Sequence, residues 1–222
     1  LMICDLINFL VRFLKSTLNN LSFSNKRSFN WRYTNDPWKI LLIEIISQQT
    51  QINRANIYYQ EFIKKFPTPE SMSQSSLKTI LKMWSGLGYN NRAIRLYESS
   101  KLIAEKGFKN IYPNFELLPG VGQYTKNAIL SFAYGDKVLA LDTNLDRVLT
   151  RYFAIDSTKN YVRKYSDFLL AGVNSRDLNQ ALMDLGSSIC TNSNPKCDIC
   201  PLEKKCEKYI LKSKISIEKF KG

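Results

Sequence analysis

The sequence predicts an almost entirely helical protein, and three observations predict it. Apolar residues recur at helical spacing along most of the chain. No stretch alternates convincingly in the manner of a strand. Capping residues, Pro and Gly punctuate the helical runs at short intervals. There is no internal repeat. With 222 residues and 44% apolar content the chain can bury a sizeable core, in one large or two small domains.

The N-terminal run LMICDLINFLVRFL places Leu6, Phe9, Leu10 and Phe13 at helical spacing. It lacks a basic start and a small-residue cleavage site, so an amphipathic core helix is expected rather than a signal peptide. A Ser/Asn-rich basic linker follows. Asp36-Pro37 opens the next helix, with Asp as N-cap and Pro at the first position. Its sequence WKILLIEIISQQTQ leaves almost no polar face and implies burial on most sides. Glu44 lies in the middle of it. A carboxylate there should have its pKa raised by desolvation, which makes Glu44 a candidate proton donor or base near neutral pH. The amides Gln48 and Gln49 follow, either as an ordinary helix end or as donors to base edges.

Residues 51–66 read as a helix ended by Pro67 and Pro69. Ser75 or Ser76 caps LKTILKMW. Ser85 to Tyr89 is a turn with an aromatic tip; Tyr89 is either a plain turn residue or a wedge between bases. A long helix runs from Asn90-Asn91-Arg92 to Lys106, with Gly107 past its end. A short helix end, Phe115 to Leu118, then meets LPGVG. Glycines at Gly120 and Gly122 permit positive φ and close approach. Their amides, with Val121 and the start of the helix at Gln123, point outward and favour a phosphate. A tight helix–helix turn is the plain alternative. Asp142 closes the apolar run VLALD, and a helix LDRVLTRYFAI follows Asn144. Two more helices are expected, at Tyr161–Leu170 and Asp177–Ile189.

Lys plus Arg number 32 against 19 Asp plus Glu, a formal charge of +13. That balance calls for a polyanion, nucleic acid or an anionic membrane. Without an apolar run of transmembrane length, nucleic acid is the better partner. The chain has no histidine, so acid–base chemistry falls to carboxylates, Lys, Tyr or Cys. Cys190, Cys197, Cys200 and Cys206 are spaced x6, x2 and x5. Such a cluster suits zinc or iron–sulfur about equally. Cys4 stands apart on the apolar N-terminal helix. The loop carrying Lys196 and the Lys-rich tail suit phosphates.

Three separated motifs then agree. LPGVG with its following Asp, the buried IEII-QQT helix, and C-x6-C-x2-C-x5-C resemble the helix-hairpin-helix DNA glycosylases of the endonuclease III superfamily. The segments IEIISQQTQ, WSGLGYNNRA, LPGVGQYT and MDLGSSIC are most similar to the A/G-mismatch adenine glycosylase (MutY) family. FNWRYTNDPW also resembles the archaeal G/T-mismatch thymine glycosylases. Like these, the chain is expected to lack the C-terminal domain with which adenine enzymes read 8-oxoguanine. Thr143 stands where the adenine family usually has Gly, and Asn90 where it usually has a second Tyr.

The resemblance implies a two-lobed all-α fold: a six-helix barrel lobe over 34–136 and an iron–sulfur lobe of 1–33 with 137–222. It implies a [4Fe–4S] cluster on Cys190, Cys197, Cys200 and Cys206, and a monovalent cation at the hairpin. It makes Glu44 the acid that protonates the leaving base, and Asp142 the carboxylate that stabilises the sugar cation. Tyr124 takes the position that carries Lys in bifunctional lyases, so a monofunctional glycosylase is expected. Gln48, Gln49, Tyr89, Gly120, Val121, Gly122, Asn144 and Lys196 become DNA contacts. The expected activity is removal of adenine opposite G or 8-oxoG, by a monomer acting on mismatched duplex DNA in a prokaryotic cytoplasm. The alternatives are a thymine/uracil glycosylase for G:T and G:U pairs and a non-catalytic DNA-binding module.

Overall fold

The structure is a computed structural model that describes residues 12–14, 16–17, 29–155 and 166–211. Every regular element among them is helical. None is long and apolar enough to cross a membrane. Expectations for Cys4, Leu6, Phe9, Leu10, the basic linker, residues 161–165 and the tail beyond Leu211 lie outside the described residues. Two compact units form, residues 28–136 and residues 1–27 with 137–222. The first therefore begins before the expected boundary at 34. Trp31 explains part of this: its Nε1 donates to Asn56 Oδ1 at 3.1 Å, within that unit.

In the 28–136 unit, α1 (Pro37–Ser47) is capped as its sequence demands. Asp36 Oδ1 accepts from the amides of Trp38 and Lys39, at 2.9 and 3.4 Å. Every residue from Ile40 to Ile46 is buried. Full burial of each such aliphatic side chain stabilises by roughly 1.5–3 kcal/mol. The helix packs against α2 (Ile52–Lys65), α5 (Asn91–Lys106) and α7 (Gln123–Ile129). Between α2 and α5 lie α3 (Pro69–Ser73) and α4 (Leu77–Trp84). The sequence pattern did not foretell α3. Thr68 and Ser71 cap it reciprocally, side chain to backbone in both directions. Ser76, not Ser75, caps α4. Gly107 ends α5 at φ +74°, and α6 (Phe108–Ile111) starts at once. A 3-10 turn, Phe115–Leu117, leads into the hairpin.

In the other unit, α8 (Thr143–Phe153) and α9 (Ser175–Ser188) supply most of the core. Leu145, Val148, Leu149 and Tyr152 meet Leu178, Ala181, Leu182 and Leu185, with Leu14, Leu169, Leu170 and Leu202 closing the sides. Both helices begin earlier than expected. Asp142 caps α8 and Asn174 caps α9 through their side chains. Gly186 lets the two helices touch. A Cβ there would lie 2.7 Å from Asn144 Cβ and 3.0 Å from its carbonyl oxygen, so any larger residue forces the backbones apart.

Candidate active site

In the 28–136 unit the hairpin is held from below by α1 and α5. The buried Ser99 hydroxyl donates to Pro119 O at 2.8 Å. Gly120 has φ +85°, and a Cβ on it would come within 3.2 Å of Arg95 Cβ and 3.6 Å of Ile45 Cδ1. Positive φ and close approach thus both require glycine at this position. Gly122 differs. Its backbone is extended, φ −91° and ψ −178°, and a Cβ would meet nothing within 4 Å, so the expected need for positive φ applies to Gly120 alone. Val121 also departs from expectation. Its side chain is buried and its amide donates to Leu118 O at 3.1 Å, so that amide closes the turn. Gln48, Arg95 and the stretch Glu116–Thr125, which includes Tyr124, line a groove of about 690 Å³. Gln48 Nε2 donates to Gly120 O at 3.4 Å and ties the amide loop to the hairpin.

Glu44 sits on α1, 8% exposed among buried isoleucines and leucines. Gln49 and Tyr89 are exposed, Tyr89 by 68%. Lys126, the amine next in sequence to Tyr124 on α7, is taken by Glu116 at 2.8 Å. Arg92 was expected only as a helix-opening residue. It is instead buried, and its guanidinium donates to carbonyls of both the Gln48 loop and the Gly88 turn. Burial lowers its pKa, with Tyr89 acting in the opposite direction; it remains a cation at physiological pH.

In the second unit, Asp142 is placed by the extended run before it. The wholly buried Asn179 pins that run: its Oδ1 accepts from Ala140 N and its Nδ2 donates to Val138 O, both at 2.9 Å. As N-cap, Asp142 Oδ1 accepts from the amides of Asn144 and Leu145 at 2.9 and 2.7 Å. Oδ2 accepts from Asn144 Nδ2 at 2.8 Å. Asn144 Oδ1 in turn accepts from Arg147 Nη2 at 2.8 Å, and Arg147 Nε donates to Cys190 O at 2.7 Å. A continuous hydrogen-bond chain therefore joins Asp142 to the backbone of a cysteine. Arg147 was not singled out from the sequence; its only signal was its place one helical turn beyond Thr143.

The four cysteines are free thiols. With Arg151, Lys196 and Tyr209 they line a cavity of about 210 Å³. Among the described residues no three side chains converge closely enough for a single metal ion. Four thiols around one cavity are a donor set of the kind that zinc or an iron–sulfur group takes. Burial pushes the Cys200 thiol up to about 11, and Cys190, Cys206 and Cys197 add to the rise. Cys206 is raised as well, by burial first. Thiolates packed this way repel one another unless a cationic centre binds them. Arg151 Nη1 lies 3.6 Å from Cys190 Sγ and adds positive charge at the rim. Lys196 is exposed beside them.

Glu44, the hairpin, Tyr124, Gln48, Gln49 and Tyr89 belong to one unit, while Asp142, Asn144, Lys196 and the cysteines belong to the other. Comparisons with known proteins bear on both. The chain is 38% identical over 206 residues to the adenine DNA glycosylase of Buchnera aphidicola subsp. Baizongia pistaciae (strain Bp), covering 89% of this chain and 58% of that protein. It is 34% identical over 187 residues to the adenine DNA glycosylase of Mycobacterium tuberculosis (strain ATCC 25618 / H37Rv), covering 80% and 62%. The chain thus spans about three-fifths of the length of the curated relatives it matches. Among solved structures, a thermostable thymine-DNA glycosylase superposes with a TM-score of 0.84 at 29% identity, over 92% of this chain and 99% of that one. A non-covalent endonuclease III–DNA complex superposes at 0.71 and 18% identity, over 92% and 98%, a likeness of fold alone. The profile of the HhH-GPD superfamily base excision DNA repair proteins matches residues 42–169, more than half of the sequence, and the chain belongs to that superfamily.

Proposed function

We propose that the chain is a monofunctional DNA N-glycosylase that removes adenine mispaired with guanine or 8-oxoguanine. The observation that carries this reading is its 34–38% identity to adenine DNA glycosylases over most of its own length. The formal charge of +13 supplies the attraction to duplex DNA. The target nucleotide leaves the stack before any side chain can reach its glycosidic bond. Glu44, held in an apolar helix, protonates the departing base. Asp142, oriented by three hydrogen bonds, stabilises the cationic sugar, the second half of a two-carboxylate division of labour. Gln49 and Tyr89 occupy space in the opened duplex. Gln48 steadies the hairpin, and Gly120 and Gly122 let the hairpin backbone approach the phosphates; a monovalent cation, when bound at the turn, would add positive charge there. The single-turnover release of free adenine from an A:G duplex tests the reading.

Two side chains support an absence of lyase activity. Tyr124 has a phenol where a Schiff base would need an amine, and Lys126 is paired with Glu116. An abasic duplex should stay intact until alkali is added, and borohydride should trap no covalent adduct. Robust nicking by the native chain would contradict this.

Cys190, Cys197, Cys200 and Cys206 would hold a [4Fe–4S] cluster, and the cavity and the packed thiols fit it. When bound, the cluster would cross-link the segment 190–206 and offset thiolate repulsion. The native chain should carry iron and acid-labile sulfide at roughly four of each, and Cys200→Ser should lower both. A colourless protein with stoichiometric zinc would contradict the assignment.

The thymine-DNA glycosylase superposition supports a second reading, release of thymine from G:T pairs. The adenine reading ranks above it because the adenine relatives reach higher identity.

A further inference from the structure

The proposed chemistry leaves one conspicuous group unused. Arg92, in the first turn of α5, is a cation only 8% exposed. Its partners are oxygens of two segments distant in sequence: the end of α1 with the Gln48 loop after it, and the Gly88 turn. Nη1 donates to Ile45 O at 3.4 Å, Ile46 O at 3.0 Å, Thr50 Oγ1 at 3.2 Å and Gln48 O. Nη2 donates to Leu87 O at 3.0 Å and Gly88 O at 3.1 Å. Nε is buried without a partner. The guanidinium lies 5.1 Å from the Trp84 ring and 5.8 Å from the Tyr89 ring.

Two of those carbonyls share a property. Gln48 O belongs to the peptide that enters Gln49, and Gly88 O to the peptide that enters Tyr89. Gln49 and Tyr89 have φ of +52° and +49°, left-handed backbone that side-chain-bearing residues rarely adopt. Such conformations persist only where the surroundings hold them. Both residues are exposed. If Arg92 served only to satisfy one helix end, a single loop would suffice. Instead each arm of its fork holds the peptide leading into one of the two strained, outward-facing residues. The Trp84 ring lies within cation–π distance of the guanidinium, and its Nε1 donates to the same Gly88 O at 3.0 Å.

We propose that Arg92 is a positioning residue that locks Gln49 and Tyr89 into one rigid, two-pronged unit, so that the two engage an opened duplex together. What the prongs do rests on the glycosylase reading above; that they move as one follows from the hydrogen bonds.

The test uses a duplex with a tetrahydrofuran abasic analogue opposite guanine, against the same duplex fully paired. The analogue has no base, so the result does not depend on which base is released. Arg92→Lys and Arg92→Gln should keep the helical circular dichroism. They should bind the paired duplex within about twofold of the native chain yet prefer the abasic duplex about tenfold less. Lys retains the charge but cannot fork between two loops. Gln49→Ala and Tyr89→Ala should be non-additive in the native background and additive in Arg92→Lys. A folded Arg92→Lys with native preference and undiminished coupling would overturn the proposal.

If both Arg92 variants fail to fold, amide exchange in the unmodified, DNA-free chain decides. The Thr50 and Leu87 amides close the two turns on Ser47 O and Trp84 O, at 3.1 and 3.0 Å. They should open with one shared protection factor; independent opening would overturn the proposal. A native chain with no abasic preference refutes the glycosylase reading instead, and the exchange result still judges the lock.

Discussion

Asp142→Asn is expected to fold, bind mismatched DNA and release almost no base. The fold survives because Asn caps helices about as well as Asp. Its amide oxygen can still accept from the Asn144 and Leu145 amides that Oδ1 serves now. The second carboxylate oxygen is not replaced. The new NH2 would face Asn144 Nδ2, a donor. Asn144 cannot turn its own oxygen round without losing Arg147 Nη2. One hydrogen bond is therefore lost, a cost of about 1 kcal/mol. Removing the charge opposite a developing sugar cation should slow base release by about a thousandfold. Binding should hold or tighten, since a negative charge near phosphate has gone. Asp142→Ala separates the two effects, because it removes the cap as well and should cost about 0.5–2 kcal/mol more. Base release by Asp142→Asn within tenfold of native would remove Asp142 from its role.

Glu44→Gln should lower single-turnover base release by about 10²–10⁴-fold, the usual contribution of a positioned general acid. Gln has nearly the same shape, and the site is 8% exposed, so packing around α1 should change little. The amide cannot deliver a proton to the leaving base. The defect should shrink with an adenine analogue that departs more readily without protonation. An equal defect for both leaving groups would point to lost packing and would sink the acid role.

Much of this was legible because particular residues carry strong local signals. Asp36-Pro37 and an unbroken apolar run announce α1, and the structure caps and buries it accordingly. LPGVG announces the hairpin. The cysteine spacing marks a thiol cavity. Other features were not legible, for physical reasons. The short helices α3 and α6 have too few turns to show a period. A glycine pair does not say which member needs positive φ; only the approach of Arg95 and Ile45 singles out Gly120. In the sequence Asp142 only follows an apolar run, yet it is also the N-cap of α8, because helix starts are set by cap geometry that the sequence blurs by a residue or two. Arg92 was invisible, since Arg is rarely buried and its carbonyl partners carry no sequence signature. Arg147 carries no such signal either: Asn144 is its neighbour one turn back on α8, but its contacts with Gly186 and Cys190 come from outside that helix, where Gly186 lets α8 and α9 touch.

The identity of the released base tests the central claim most directly. The native chain would be mixed in excess with A:G, A:8-oxoG, T:G and U:G duplexes of one sequence, and the free base quantified over a single turnover. The proposed function predicts adenine from A:G and A:8-oxoG, with T:G and U:G duplexes left whole. Release of thymine or uracil without adenine would contradict it and would favour the thymine-glycosylase reading.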